Sequence, residues 1–242
     1  MRLPRHDTSL SLPAEPPRAA LTADETLLQS PGVRVWMASS PAVVVGLGLH
    51  RRLAAIVDAE RCRRAHVEVI ERSAGGGALL LDEHMLCGAV SLPISNVSQD
   101  VTESYRWLGD ALLRALGVAS ARRVEVAEAR EDVARLRAST SLVAGVLLTT
   151  CYGALSPHEI VVQHKKLVGL AQVRRRDTAL FQFGILLRDQ SALADYLNVP
   201  DEPTRERLRG ALRQRTIGLT AVTDQSASVV AAAIVDAMPS AP

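Results

Sequence analysis

Between Val146 and Leu187 four short apolar runs follow one another: Val146–Cys151, Glu159–Gln163, Leu167–Val173 and Ala179–Leu187. Apolar runs of this length, bounded by turn residues, read as buried strands. Earlier candidates of the same kind are Val33–Met37, Ala42–Val45, Val67–Ile70, Ala78–Leu81, Cys87–Leu92 and Val124–Val126. Helical periodicity marks Asp58–Ala65, Glu128–Arg137, Leu193–Leu197, Thr204–Gln214 and Ser226–Met238. The clearest amphipathic helix is Asp100–Leu116, with Val101, Tyr105, Leu108, Leu112, Leu113 and Leu116 on one face and Gly117 as its stop. Strands gathered in consecutive groups and broken by long helices, without strict alternation, argue for an α+β fold with mixed or antiparallel sheets flanked by helices.

No repeat or low-complexity linker divides the chain, so one domain is expected. Residues 1–20 hold four prolines and no periodicity and read as an extended arm, which leaves 21–242 as the folded domain with a helical C-terminal tail. Thr22-Ala23-Asp24-Glu25 has the form of a capping box and predicts a helix over Thr22–Gln29. The apolar stretches Ala42–Leu49 and Leu142–Leu148 fall short of the roughly 20 residues a membrane-spanning helix needs, and the Pro-broken start lacks a secretory apolar core. A soluble cytoplasmic protein is the expectation.

Charge excludes further classes. With 28 Lys+Arg against 26 Asp+Glu the net charge is +2, so the chain carries no global field of the nucleic-acid-binding kind. Aromatics at 3% give little for bases to stack on. Three cysteines, Cys62, Cys87 and Cys151, with no C-x-x-C pair, predict free thiols and no metal site. Among the basic residues only Lys165 and Lys166 are lysines, and a compact ammonium does chemistry that a guanidinium cannot. His84, His158 and His164 are scattered in polar loops and are expected at the surface.

Two places could carry chemistry. Gly75-Gly76-Gly77 lies between two strands, where glycine permits close backbone approach, and Arg72 just before it is a donor suited to phosphate or carboxylate. Cys151 ends an apolar run, and a hairpin through Glu159–Gln163 could return Lys165 or Lys166 to its side, where an ammonium stabilises a thiolate. Alternate residues of a strand face opposite ways, so only one of the two lysines should face the site.

Taken in order, Asp24–Leu28, Pro41–Gly46, Glu71–Asp82 and Lys166–Arg174 resemble the biotin/lipoate protein ligase catalytic domain, and within it the lipoate-protein ligase A branch and its octanoyltransferase relatives. The resemblance spans roughly Leu21–Leu187 and is carried by Arg-x-x-Gly-Gly-Gly at Arg72–Gly77 and Lys-x-x-Gly-x-Ala-Gln at Lys166–Gln172. It implies an acyl pocket with Arg72, Gly75, Gly76, Gly77, Asp82, Gly169 and Ala171 as substrate-binding residues and Lys166 against the reacting carbonyl. Cysteine-dependent transferases of this family carry a nucleophile upstream of that lysine. Cys151, in Cys-Tyr-x-Ala-x-Ser-x-x-Glu, resembles it. The implied activity is transfer of an octanoyl or lipoyl group, through a Cys151 thioester, from a donor such as octanoyl-acyl carrier protein to a lysine of a lipoyl-domain protein, with no cofactor. The alternatives are an ATP- and Mg-dependent ligase working through an acyl-adenylate, and a non-catalytic binding relative. The chain departs from the family at Leu81 and Phe183, where histidine is usual.

Overall fold

The computed structural model describes residues 12–238. The expected arm therefore lies outside the described residues as far as residue 11. Beyond that, order starts earlier than Leu21: β1 (Ala14–Glu15) pairs with β2 (Val33–Ala38), and helix α1 runs over Pro17–Thr26. Pro17 takes the first helical turn, where its missing N–H and fixed φ cost nothing. The Thr22–Glu25 motif consequently lies inside the helix and does not start it.

Seven strands form the main sheet in the order β1-β2-β6-β10-β9-β8-β7, adding β6 (Met85–Pro93), β7 (Ala121–Arg123), β8 (Ile160–Val162), β9 (Lys165–Arg174) and β10 (Thr178–Leu186). Only its β1–β2 pair is parallel. A second sheet has the order β4-β3-β5, from β3 (Ala42–Gly46), β4 (Glu68–Arg72) and β5 (Leu79–Leu81), with β3 and β4 parallel. Because β4 and β5 flank β3 on opposite sides, the triple-glycine segment crosses between them and is no hairpin turn.

Period-two alternation sorts the side chains into layers. On β10, Phe181, Phe183 and Ile185 enter a core with Leu108, Leu112 and Leu116 of helix α4 (Arg106–Leu116) and Val230 and Ile234 of α8 (Ala227–Ala237). The other face of β10 presents Gln182 and Gly184 toward the small sheet. On β3, Ala42 and Val44 point into the space between the sheets with Trp36, Leu79 and Met85. Val43 and Val45 point the other way, against α2 (Leu53–Ile56), α3 (Ala59–Arg64), α6 (Leu142–Leu147) and α7 (Glu202–Arg215). The inter-sheet layer is where the site forms.

Three local expectations change. The Val146–Cys151 run is not a strand: α6 covers Leu142–Leu147 and a turn follows, with Ala144 and Leu147, three apart, buried on one helical face. Short apolar runs do not discriminate strand from helix, and Ser141 starts the helix upstream of the run. The strand placed at Val124–Val126 lies instead at Ala121–Arg123, and Val126 opens α5 (Val126–Ala138). The long amphipathic helix is α-helical only from Arg106, after a 3-10 turn at Glu103–Tyr105, and it ends at Gly117 with φ 59° as expected.

Candidate active site

Two segments distant in sequence are bound edge to edge between the sheets. The Ala78 N–H donates to the Thr149 carbonyl and the Cys151 N–H donates to the Ala78 carbonyl, both at 2.8 Å. Such proximity requires glycine next door: a methyl on Gly77 would lie 2.4 Å from the Thr150 carbonyl carbon and 2.6 Å from the Cys151 nitrogen. Gly76 has φ 108°, and a methyl there would sit 3.6 Å from the Cys151 sulfur. The glycine segment is thus the backing against which the thiol rests.

Lys166 approaches from β9. It is buried at 1% exposure. Its ammonium donates to the Cys151 carbonyl at 2.6 Å and the Ala154 carbonyl at 3.3 Å, and pairs with Glu159 Oε1 at 2.6 Å. Lys165, its neighbour in the strand, faces the other way, with Nζ 3.5 Å from the Arg213 carbonyl. Alternation separates the two lysines as the sequence suggests, but Lys166 reaches Cys151 through its backbone carbonyl. Glu159 is itself buried; burial pushes its carboxyl above the usual range while Lys166 pulls it back.

Cys151 is half-buried and opens onto two spaces. One is a narrow pocket between the sheets. Its floor is the cross-strand row Trp36–Cys87–Gly184–Gly169 of the main sheet, joined by Gln182 and Ala171 from the next row. Leu21, Val44, Leu79 and Leu81 cover it, and Arg72 lines it. Gly169 and Gly184 leave room for Tyr152, whose hydroxyl donates to the Gly184 carbonyl at 2.7 Å. Burial drives the Tyr152 phenol and the Cys87 thiol well above their ordinary pKa values, so both stay neutral. The other space is a wider opening lined by Gly48, Gly76, Gly77, Ser156, Glu159 and Leu170.

One polar cluster belongs to the narrow pocket. The Asp24 carboxylate, 2% exposed, accepts from Trp36 Nε1 at 3.1 Å, Arg34 Nη1 at 3.2 Å and Gln182 Nε2 at 3.4 Å. Burial raises its pKa from 3.8 to about 7 against the pull of Arg34.

The remaining expected positions divide. Arg72, Gly169 and Ala171 line the narrow pocket, and Gly76 and Gly77 the wider opening. Gly75 lines neither and offers its carbonyl to Arg72 Nη2 at 2.8 Å. Asp82 is not brought to Cys151. It follows Leu81 in strand alternation, so it turns to a separate cleft with His84, Arg188 and Gln190 and accepts from the His84 N–H at 2.9 Å. Phe183 borders the pocket while its ring packs over Gly88 in the helical layer, and Leu81 lines the pocket as well. His158 is not a surface residue: it is buried at 1% exposure with φ 66°, and Nδ1 lies 2.8 Å from Arg123 Nη1. His164 is mostly exposed and His84 partly so. Arg174 is tied down by the Ser98 and Gln99 carbonyls, and Arg175 and Arg176 are exposed. Glu159 and Asp24 escaped the sequence reading as site residues. For Glu159 the available signal was its place at the end of the Cys151 motif.

The architecture is that of one catalytic class. The profile of the lipoyl protein ligase A/B catalytic domain matches residues 16–238, and the chain belongs to that family. Within it, the chain is 27% identical over 226 residues to octanoyltransferase LipM of Geobacillus kaustophilus, covering 88% of this chain and 77% of that protein. To octanoyltransferase LipM of Kyrpidia tusciae it is 30% identical over 191 residues, 78% of this chain and 66% of that one. Among solved structures it superposes on a chain from the bi-partite lipoate protein ligase and E2 lipoyl domain of Thermoplasma acidophilum (TM-score 0.71, 20% identity, 93% of this chain and 80% of that one). Lipoate-protein ligase A bound with ATP gives a TM-score of 0.65 at 22% identity over 93% of this chain and 81% of the other. These likenesses establish the fold. No helix among the described residues is long and apolar enough to cross a membrane.

Proposed function

We propose that this chain is an octanoyltransferase that carries its acyl group on Cys151. One observation carries the reading: the Cys151 thiol stands where a narrow, largely apolar slot meets a wider opening, held there by the glycine segment and by Lys166. The slot suits a saturated acyl chain, and the opening admits a donor and then an acceptor. Its relatives named octanoyltransferase LipM support the same reaction.

In the first half-reaction the Cys151 sulfur, as thiolate, attacks the carbonyl carbon of an octanoyl thioester, such as octanoyl-acyl carrier protein. The donor's carbon–sulfur bond breaks, and the departing sulfur takes up the proton that the Cys151 thiol gave up, so the donor leaves as a thiol. In the second, the amine of a lysine on a lipoyl-domain protein attacks the Cys151 thioester. The amide forms, the bond to Sγ breaks, and the amine's proton passes to Sγ. Neither half needs a cofactor. The Lys166 ammonium, paired with Glu159, donates charge-assisted hydrogen bonds to the nucleophile's backbone from a buried position. Its role is to hold the Cys151 turn.

Cys151→Ala tests the assignment. Octanoyl transfer to a lipoyl domain should vanish while the thermal unfolding curve is preserved; full turnover in that variant refutes it. A strict requirement for ATP in the wild-type protein would favour the ligase route.

A further inference from the structure

Glu159 is fully buried beside the wider opening, and the chemistry above assigns it nothing. Its oxygens are fixed by three donors: Ser156 N–H to Oε2 at 2.7 Å, Leu170 N–H to Oε1 at 3.3 Å, and Lys166 Nζ to Oε1 at 2.6 Å. An ammonium has three N–H donors. Those of Lys166 end on Glu159, the Cys151 carbonyl and the Ala154 carbonyl. The ammonium can turn about its own bond, and the carboxylate, as the charged acceptor, sets where the other two donors point.

We propose that Glu159 is the positioning residue of this centre: held by the Ser156 and Leu170 amides, it orients Lys166 so that its remaining donors grip the carbonyls of Cys151 and Ala154 and fix the thiol against Gly76. The residue acts through Lys166 and the turn, on both half-reactions alike. This rests on the acyl-thioester reading of Cys151. The competing role, proton acceptor for the incoming amine, would touch the second half-reaction only. A carboxylate already accepting three hydrogen bonds is poorly disposed to it.

The experiment compares wild type, Glu159→Gln, Lys166→Met and the double variant. The rate of Cys151 acylation by a small octanoyl thioester, octanoyl-N-acetylcysteamine, is followed by intact mass, and aminolysis of the acyl-enzyme by a lipoyl domain is followed separately. Misplacement of a reacting atom by an ångström costs roughly 100-fold, so each single variant should lose about that much in the saturating acylation rate with the half-saturating thioester concentration unchanged. The double variant should be no slower than the slower single, because both residues act as one unit. Removing both members of a buried pair spares the fold where removing one strands a charge, so the double variant answers even if a single variant does not fold. A folded double variant that acylates at the wild-type rate overturns the proposal. So does a Glu159→Gln protein that acylates normally and fails only in aminolysis, or losses that multiply. If wild-type Cys151 takes no octanoyl group, the acyl-transfer reading is what fails; if it does and Glu159→Gln keeps pace, only the positioning role fails.

Discussion

Replacing Gly77 by alanine should damage both stability and activity, while the same change at Gly75, two residues earlier, should be silent. A methyl on Gly77 meets three backbone atoms, the Thr150 carbonyl carbon at 2.4 Å, the Thr149 oxygen at 2.5 Å and the Cys151 nitrogen at 2.6 Å. Carbon contacts are comfortable from about 3.5 Å, so the Cys151 segment must withdraw by roughly 1 Å, and backbone cannot swing aside as a side chain can. Withdrawal breaks the two 2.8 Å hydrogen bonds that join Ala78 to Thr149 and Cys151. At about 1 kcal/mol net for each bond, with about 1–3 kcal/mol for overpacking, the cost is about 3–5 kcal/mol. For a domain of this length that lowers Tm by roughly 6–20 °C. A methyl on Gly75 has nothing within 4 Å. Differential scanning calorimetry of the two variants, with the Cys151 acylation rate measured below both transitions, checks the claim. A Gly77→Ala protein that melts and acylates like wild type, or a Gly75→Ala protein that loses as much, refutes the reasoning.

The adjacent lysines give a second control. Lys166→Arg should lose most transfer activity because a planar guanidinium cannot reproduce three divergent bonds, and Lys165→Arg should stay near wild type in the same steady-state assay. Tyr152→Phe removes the bond to the Gly184 carbonyl and should cost about 1 kcal/mol in urea unfolding. Asp24 should leave a signature in pH-dependent stability. Its pKa is about 7 folded against 3.8 for the free side chain, so the folded state retains a proton that the unfolded chain has released. Stability from this group therefore falls as pH rises from about 4 to about 7, and Asp24→Asn should remove that slope. Reversing Arg175 and Arg176 to Glu should slow a protein donor or acceptor at low salt and spare a small octanoyl thioester; equal losses in both assays would place the damage in the pocket.

The sequence carries the strands because their signal is local. Val33–Met37, Leu167–Val173 and Ala179–Leu187 alternate or run apolar, and each lies inside an observed strand or within one residue of it. The choice of Lys166 over Lys165 is legible for the same reason. What fails is what depends on distant partners. The Val146–Cys151 run becomes the end of α6 and a turn because Ala144 and Leu147 pack against α7 and the small sheet. Glu125, Glu128 and Glu159 look alike in one dimension, and only the bulged register of β8 on β9 puts Glu159 under Lys166. His158 looks solvated by its polar neighbours until Arg123 and α4 close over it. Asp82 follows the glycine motif closely in sequence, yet the alternation along β5 turns it to the opposite side. Adjacency in a motif is not adjacency in a site.

The central claim is that Cys151 itself bears the acyl group. Incubating the protein with an octanoyl thioester in the absence of ATP, then measuring intact mass and mapping the adduct by peptide, tests it most directly. The account predicts a gain of one octanoyl group, located on Cys151 and discharged by a lipoyl domain. No adduct, an adduct on Cys62 or Cys87 with Cys151 free, or one that forms only with ATP would contradict it.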